Sequence, residues 1–240
     1  IIYKRPHIHT KNVNSPINLS RLKIRNIVKK ILHTPNMSSK KWIWEQYDHM
    51  ITDNVISQLG GNASVIKIEN TNMALAITTD CNINYCHADS YRGSIQAVTE
   101  SYRNLISVGA KPLAITNCLN FGNPEKLEIM GQFTDAIKGI KTACLKLNLP
   151  VISGNISFYN ETNNINIPPT PQIGSVGLIK DRNIIINHIP KPLDHIYIIG
   201  NTKGNLSCSV YESIFSKRSF NQRSLPPICN LDEEVKTGKT

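Results

Sequence analysis

Residues 112–158 read PLAITNCLNFGNPEKLEIMGQFTDAIKGIKTACLKLNLPVISGNISF, and the architecture turns on their punctuation. Pro112 to Leu119 is an apolar, strand-sized run. From Glu125 to Leu147, Met130, Phe133, Ile137, Ile140, Cys144 and Leu147 recur every three or four positions, the spacing that keeps apolar side chains on one face of a helix. Val151 to Phe158 returns to a β pattern. The reading is strand, polar turn, long helix, strand.

The same reading extends in both directions. Upstream, Arg92 to Val108 is predicted as a helix with Ile95, Val98, Tyr102, Leu105 and Ile106 on one face; it stops at Gly109, with Pro112 just beyond. Before it, Ser64 to Ile68 and Met73 to Thr79 flank Glu69-Asn70-Thr71-Asn72, whose composition suits a turn, so a hairpin is expected. Downstream, an Asn- and Pro-rich loop (160–171) precedes a strand from Ile173 to Ile179. The order β, β, helix, β, helix, β, β implies an α+β fold with both helices on one sheet face, close to a ferredoxin-like arrangement.

The flanks read differently. Residues 1–18 are polar, with Pro6 and Pro16, and suit an extended tail. Residues 19–49 suit a helical linker: an amphipathic helix from Leu19 to His33 begun by Ser20, then a short helix capped by Ser38 or Ser39 and running through Trp42 and Trp44. Residues 50–181 form the main domain. After Asp181, predicted strands at Ile184–Ile186 and Ile196–Ile199 suggest a second domain, opening over 190–240 and cut off near Thr240. The chain does not begin with Met, which points to a fragment.

Of 240 residues, 40% are hydrophobic and 18% charged, enough to bury a substantial core. No stretch approaches the roughly 18 consecutive apolar residues of a membrane span. Six cysteines without a CxxC pair argue against both a disulfide framework and a zinc ribbon, and so for reduced thiols in the cytoplasm. The net charge is +10, but it lies in the flanks: residues 51–179 carry 8 Lys and Arg against 9 Asp and Glu. A near-neutral body does not suit a phosphate-tracking groove, so nucleic-acid binding is not expected. With 27 Asn and 35 Ile the composition suggests codon drift, so an Asn is not by itself a signal.

Two blocks carry candidate chemistry. Asn117 to Glu125 ends an apolar strand in amides and a Gly-Asn-Pro turn, the kind of strand end at which ligands are met. Ser153-Gly154-Asn155-Ile156-Ser157 places a glycine inside a strand, either as a bulge or as a close approach of another group. Alternation puts Asn155 and Ser157 on one face. An amide carbonyl is a hard oxygen donor suited to Mg²⁺, and a serine hydroxyl can bond a phosphate or amide oxygen; a polar, solvated strand end is the plainer alternative. Cys86 and His87 have no third partner at informative spacing and read as a solvated loop.

With these blocks in view, the sequence resembles phosphoribosylformylglycinamidine synthase, the ATP-dependent synthetase subunit (PurL type) of purine biosynthesis. The resemblance shows in Pro35 to Trp42, Gln46-Tyr47-Asp48-His49, Thr78-Thr79-Asp80, and Arg103-Asn104-Leu105 running into Gly109-Ala110-Lys111-Pro112. It is most specific at Cys118 to Glu125 and Ser153 to Thr162. It implies a PurM-like N-terminal-type domain over 50–181 and the start of a C-terminal-type α/β domain at 190–240, both from the second of the family's two repeats. The first repeat would be a partner, together with a glutaminase that supplies ammonia.

The reaction implied is an ATP-dependent phosphorylation of the amide oxygen of formylglycinamide ribonucleotide, after which ammonia displaces phosphate to leave the amidine. By motif, Asn117 and Gly154 would contact ATP, Asn155 would bind Mg²⁺ and Ser157 would contact the ribonucleotide. The family's catalytic histidine belongs to the first repeat, so no catalytic residue is expected here, and His49 and His87 are not candidates. Asn117 departs from the family's usual Asp, keeping an acceptor and losing a charge. Asn104 likewise replaces a frequent Asp. The alternatives are a non-catalytic remnant or structural half of that enzyme and, less favoured, a basic RNA-binding module. The family's N-terminal-type domains pair their sheets across a pseudo-twofold, so an apolar sheet face is expected to lie open here.

Overall fold

A computed structural model describes residues 5–9, 17, 19–47, 54–57, 60–186, 189–200, 204–216 and 224–239. Its centre is a five-stranded sheet built from β1 (Ser64–Lys67), β2 (Ala74–Asp80), β3 (Lys111–Asn120), β4 (Val151–Ser157) and, after the small hairpin β5 (Glu161–Thr162) and β6 (Ile165–Asn166), β7 (Thr170–Ile179). The order across the sheet is β1-β2-β7-β3-β4; every pair is antiparallel except β3 and β4. Parallel neighbours need a long crossover, and α5 (Leu127–Leu147) supplies it. The helices α3 (Ile83–Ala88) and α4 (Ser90–Ser107) connect β2 to β3, which leaves a gap that β7 fills. This is the split β-α-β of ferredoxin-like folds. α4 lies along β2, β7 and β3, and α5 packs on α4, so both long helices cover one sheet face as expected.

Local chemistry sets the boundaries. The Asp89 carboxylate caps α4 by accepting from Arg92 N at 2.9 Å. At its other end Gly109 takes φ 87°, Ala110 N bonds Leu105 O and Gly109 N bonds Ile106 O, the paired bonds of a Schellman stop. α5 starts at Leu127, two residues later than the periodicity suggests, because Asn123 folds the chain back: its Oδ1 accepts from Glu125 N and its O from Lys126 N.

Two buried clusters hold the layers together. One joins Ile95, Val98 and Tyr102 of α4, Ala136, Ile140, Ala143 and Leu147 of α5, Ile115 and Leu119 of β3, and the fully buried Phe121. The other joins Val65, Ala74 and Ala76 of the hairpin to Leu105, Val108 and Ile179. Between α4 and β7 the buried Ser175 hydroxyl donates to Ser101 Oγ at 2.7 Å.

Several sequence expectations are corrected. α1 spans Ile24–Leu32 rather than 19–33, with the Ser20 hydroxyl accepting from Leu22 N; α2 spans Lys41–Trp44, with Lys40 in the cap position and the Ser39 hydroxyl accepting from Lys41 N at 3.3 Å. Cys86 and His87 sit on α3, capped by Asn82, and not in a solvated loop. The loop after β4 contains the β5–β6 hairpin. Beyond Asp181 the predicted strands are absent among the described residues: Arg182–Ile184 is a 3-10 turn, and Ile196, Ile198 and Ile199 are exposed and unpaired. Two short helices follow, α6 (Val210–Phe215) and α7 (Leu231–Thr237), and Cys229, Leu231 and Val235 around α7 pack on the main core. Residues 1–4, 10–16 and 18 of the tail and 48–53 at the first domain boundary, His49 among them, lie outside the described residues.

Candidate functional site

The two most informative sequence blocks meet in space. β3 and β4 run side by side, with Asn117 opposite Gly154, Cys118 opposite Asn155 and Asn120 opposite Ser157. Beyond the strands, Phe121 N bonds Ser157 O and Tyr159 N bonds Gly122 O, while the Asn160 amide donates to Phe121 O at 2.9 Å and to Ser157 O at 3.0 Å. Lys126 reaches Glu161 at 2.8 Å, and this contact holds the Glu161 carboxyl below its ordinary range. Asn123 N bonds the Asn166 side chain at 2.7 Å. Much of what makes these blocks distinctive is therefore a polar joint that fixes the ends of β3 and β4.

The four predicted site residues divide between two faces. Asn117 shares the helix-covered side with Ile115 and Leu119, and Gly154 lies beside it. A side chain at Gly154 would run into Asn117 Oδ1, with Asn117 Cγ and O each 2.9 Å from the added carbon; the glycine is there to admit the carboxamide. Asn155 and Ser157 point the other way, onto the open sheet face with Thr116, Cys118 and Asn120. Asn155 is exposed and Ser157 partly so, with the Ser157 hydroxyl 3.4 Å from Asn160 Oδ1. Alternation thus places this pair on one face as expected, but that face is an open surface and not a cleft. β4 is the sheet edge, and six of its seven residues are exposed.

The open face is graded. Its β3–β4 end is neutral and polar, whereas the β1–β2–β7 end carries Ile66, Leu75, Ile77, Val176 and Leu178, with Ile77 40% exposed. On the helix side, a groove of about 760 Å³ opens between α5 and the starts of β3 and β4, and Asn117 forms part of its lining.

Two further motif segments meet at the C-terminal end of β2. Asp80 accepts from Thr78 Oγ1 at 2.7 Å and from Asn104 Nδ2 at 2.8 Å, which joins β2 to α4. Burial pushes the Asp80 carboxyl up despite these bonds, and burial together with the nearby Asp80 charge pushes Glu100 up. Asp80 stands in the Thr78-Thr79-Asp80 segment but neither carboxylate is given a site role by the sequence, where a lone carboxylate at a strand end carries no distinguishing mark. The Cys81 and Cys86 thiols, on either side of the Asn82 cap, share a hydrogen bond; that contact draws the Cys81 thiol down and, with burial, sends Cys86 well up. All six cysteines are free, and only Cys118 is exposed. Among the described residues, no group of three or more His, Cys, Asp or Glu side chains could hold a metal, and no helix is long and apolar enough to cross a membrane.

The chain is 47% identical over 221 residues to the phosphoribosylformylglycinamidine synthase subunit PurL of Pelagibacter ubique, covering 91% of this chain and 30% of that protein. It is 43% identical over 246 residues to the same subunit of Rhodopseudomonas palustris, covering 99% and 32%. It spans about a third of the length of these curated relatives. Among solved structures it is similar to the PurLQS assembly of Thermotoga maritima, with 28% identity and a TM-score of 0.61 over 78% of this chain and 29% of that one. T. maritima PurL complexed with ATP (28%, TM-score 0.57, 78% and 29%) and complexed with FGAR (28%, TM-score 0.56, 75% and 27%) are also similar. The model of the AIR synthase related protein family, N-terminal domain, matches residues 60–179, the span from the turn before β1 to the end of β7. The fold is thus the PurM-like α+β domain that the sequence suggests, and with half of its residues matched the chain belongs to the AIR synthase related family, whose N-terminal domain it carries.

Proposed function

We propose that this chain is one wall of an ATP-dependent C–N ligase of purine biosynthesis, a cytoplasmic enzyme that converts formylglycinamide ribonucleotide to its amidine with ammonia from glutamine. The observation that carries the reading is the β3–β4 joint, which presents Asn117 with Gly154 on one side of an edge strand and Asn155 with Ser157 on the other. The similar T. maritima PurL structures complexed with ATP and with FGAR support both ligands; the similar PurLQS structure supports partner subunits, among them the glutaminase that would supply ammonia.

An amide oxygen is a poor leaving group, so the reaction needs a γ-phosphate held in line with it and away from bulk water. In this reading Asn117 and Gly154 hold the nucleotide and Ser157 orients the ribonucleotide's amide. The exposed carboxamide oxygen of Asn155 is the hard donor that Mg²⁺ prefers. One neutral donor, with no carboxylate cluster beside it among the described residues, suits a cation that arrives already bound to phosphates. When bound, Mg²⁺ would draw charge from the transferring phosphoryl group. The apolar end of the open face supports pairing with the sheet of the missing first repeat. Residues 190–240 would lead into the C-terminal-type domain, with α7 anchoring that segment on the first.

The test is calorimetric titration of Mg-ATP and of formylglycinamide ribonucleotide into this chain mixed with the first-repeat polypeptide. The proposal expects both ligands to bind, with Ser157→Ala weakening only the ribonucleotide. Affinity identical with and without this chain would make it a structural remnant and overturn the reading.

A further inference from the structure

Cys81 stands one residue before the Asn82 cap of α3 and Cys86 four residues after it, the two positions whose side chains meet when a chain turns into a helix. Here the side chains that meet are thiols, both free and hydrogen-bonded to each other. Neither end of the pair can drift. The Asn82 side chain accepts from Asn84 N and Tyr85 N, and Cys86 N bonds Asn82 O at 3.0 Å. Cys86 O accepts from the Ser90 hydroxyl at 2.9 Å, and Gly93 of α4 lies so close that a side chain there would run into Cys86 N. Cys81 in turn follows Asp80, which bonds Thr78 and Asn104.

The two thiols differ in access. Cys81 is partly exposed, whereas Cys86 is fully buried. The bond from Cys86 draws the Cys81 thiol down against burial and the charges of Glu100 and Asp80; the same bond and burial keep Cys86 protonated. A reachable thiol that ionises more readily, with a protonated one fixed beside it, is the arrangement of an attacking and a resolving cysteine.

We propose that Cys81 and Cys86 form a dithiol that a hydroperoxide converts to a disulfide. The Cys81 thiolate attacks one peroxide oxygen; the O–O bond breaks, the displaced oxygen takes a proton from solvent and leaves as water or an alcohol, and Cys81 becomes a sulfenic acid. The Cys86 sulfur then attacks the Cys81 sulfur, the S–O bond breaks, and the departing hydroxide takes the Cys86 proton and leaves as water. The two thiols together give up two electrons to one hydroperoxide. The bridge ties the end of β2 to the part of α3 that α4 holds, and so locks the corner at which Asp80 meets Asn104. It does not depend on the ligand contacts proposed above.

The experiment treats the full chain with a small excess of hydrogen peroxide, alkylates the remaining thiols with iodoacetamide in urea and maps the tryptic peptides. Both cysteines fall in one peptide, residues 68–92, which holds no other thiol. That peptide is expected to lose two hydrogen atoms, to escape alkylation and to regain both thiols with dithiothreitol. In Cys86→Ser, dimedone should label Cys81, because a sulfenic acid with no neighbouring thiol persists; Cys86→Ala repeats the measurement should serine unsettle that buried place. In Cys81→Ser the peptide should carry neither disulfide nor label. If peroxide oxidises Cys118 while both cysteines of residues 68–92 are still alkylated, or if dimedone labels Cys86 in Cys81→Ser as readily as Cys81 in Cys86→Ser, the pair is only a packing contact at the cap and the proposal falls.

Discussion

Adding one methyl group at Gly154 tests the geometry on which the site depends. In Gly154→Ala the new carbon meets Asn117 Oδ1 inside contact distance and lies 2.9 Å from both Asn117 Cγ and Asn117 O. Carbon contacts are comfortable at about 3.5 Å or more, so the carboxamide must swing away and the β3 backbone must yield by several tenths of an ångström. An off-rotamer Asn costs about 0.5–1.5 kcal/mol, and overpacking of this kind about 1–3 kcal/mol in all. In a chain of this size that is a fall in Tm of about 2–4 °C for each kcal/mol. Urea unfolding of Gly154→Ala, Asn117→Ala and the double variant closes a cycle. Because Asn117→Ala removes the two side-chain contacts and leaves the carbonyl, the double variant should recover about 0.5–1.5 kcal/mol of the loss. A coupling energy near zero, or a neutral Gly154→Ala, would show that the carboxamide does not occupy the space above Gly154.

Other consequences are separable. Asn160→Ala removes the amide that ties Phe121 O to Ser157 O and should cost about 1–3 kcal/mol in chemical unfolding, with Ser157→Ala, which leaves that tie in place, costing less. Burial raises the Glu100 carboxyl above 4.5, so the charged form is disfavoured in the folded chain; the stability this carries is present below pH 4.5 and lost as pH rises through the raised value. Glu100→Gln should therefore raise Tm at pH 7 more than at pH 4, and an equal effect at both would refute the linkage. Cys118 is the exposed thiol of the six and neighbours Asn155, so iodoacetamide should modify it first, and Mg-ATP with the ribonucleotide should slow that step.

How far the chain could be read in advance follows from which interactions are local. The Gly109 stop, the β1–β2 hairpin and the long α5 are specified within a few residues by glycine, turn amides and apolar period, and they form as expected. β5–β6 was legible too: Asn163 and Asn164 take φ 50° and 61°, the two-residue turn that joins short strands, but the surrounding asparagines disguised it. α3 escaped notice because six residues are too few to display a period. The strands predicted at Ile184–Ile186 and Ile196–Ile199 failed for the opposite reason, since an apolar run becomes a strand only when another strand pairs with it. Within the site, alternation placed Asn155 and Ser157 together. That Asn117 lies over Gly154 depends on the β3–β4 register, which joins residues 37 positions apart and leaves no trace in either segment alone.

The most direct measurement is paramagnetic line broadening in the chain's amide spectrum, with Mn²⁺ standing in for Mg²⁺. With ATP present, broadening should be strongest at the Asn155 side-chain amide and next at Gly154 and Ser157; with Mn²⁺ alone it should be slight, because Asn155 offers one neutral oxygen. Strong broadening without nucleotide, or broadening centred on Asp80 and Glu100 with Asn155 untouched, would contradict the placement of the metal-linked phosphates at the edge strand.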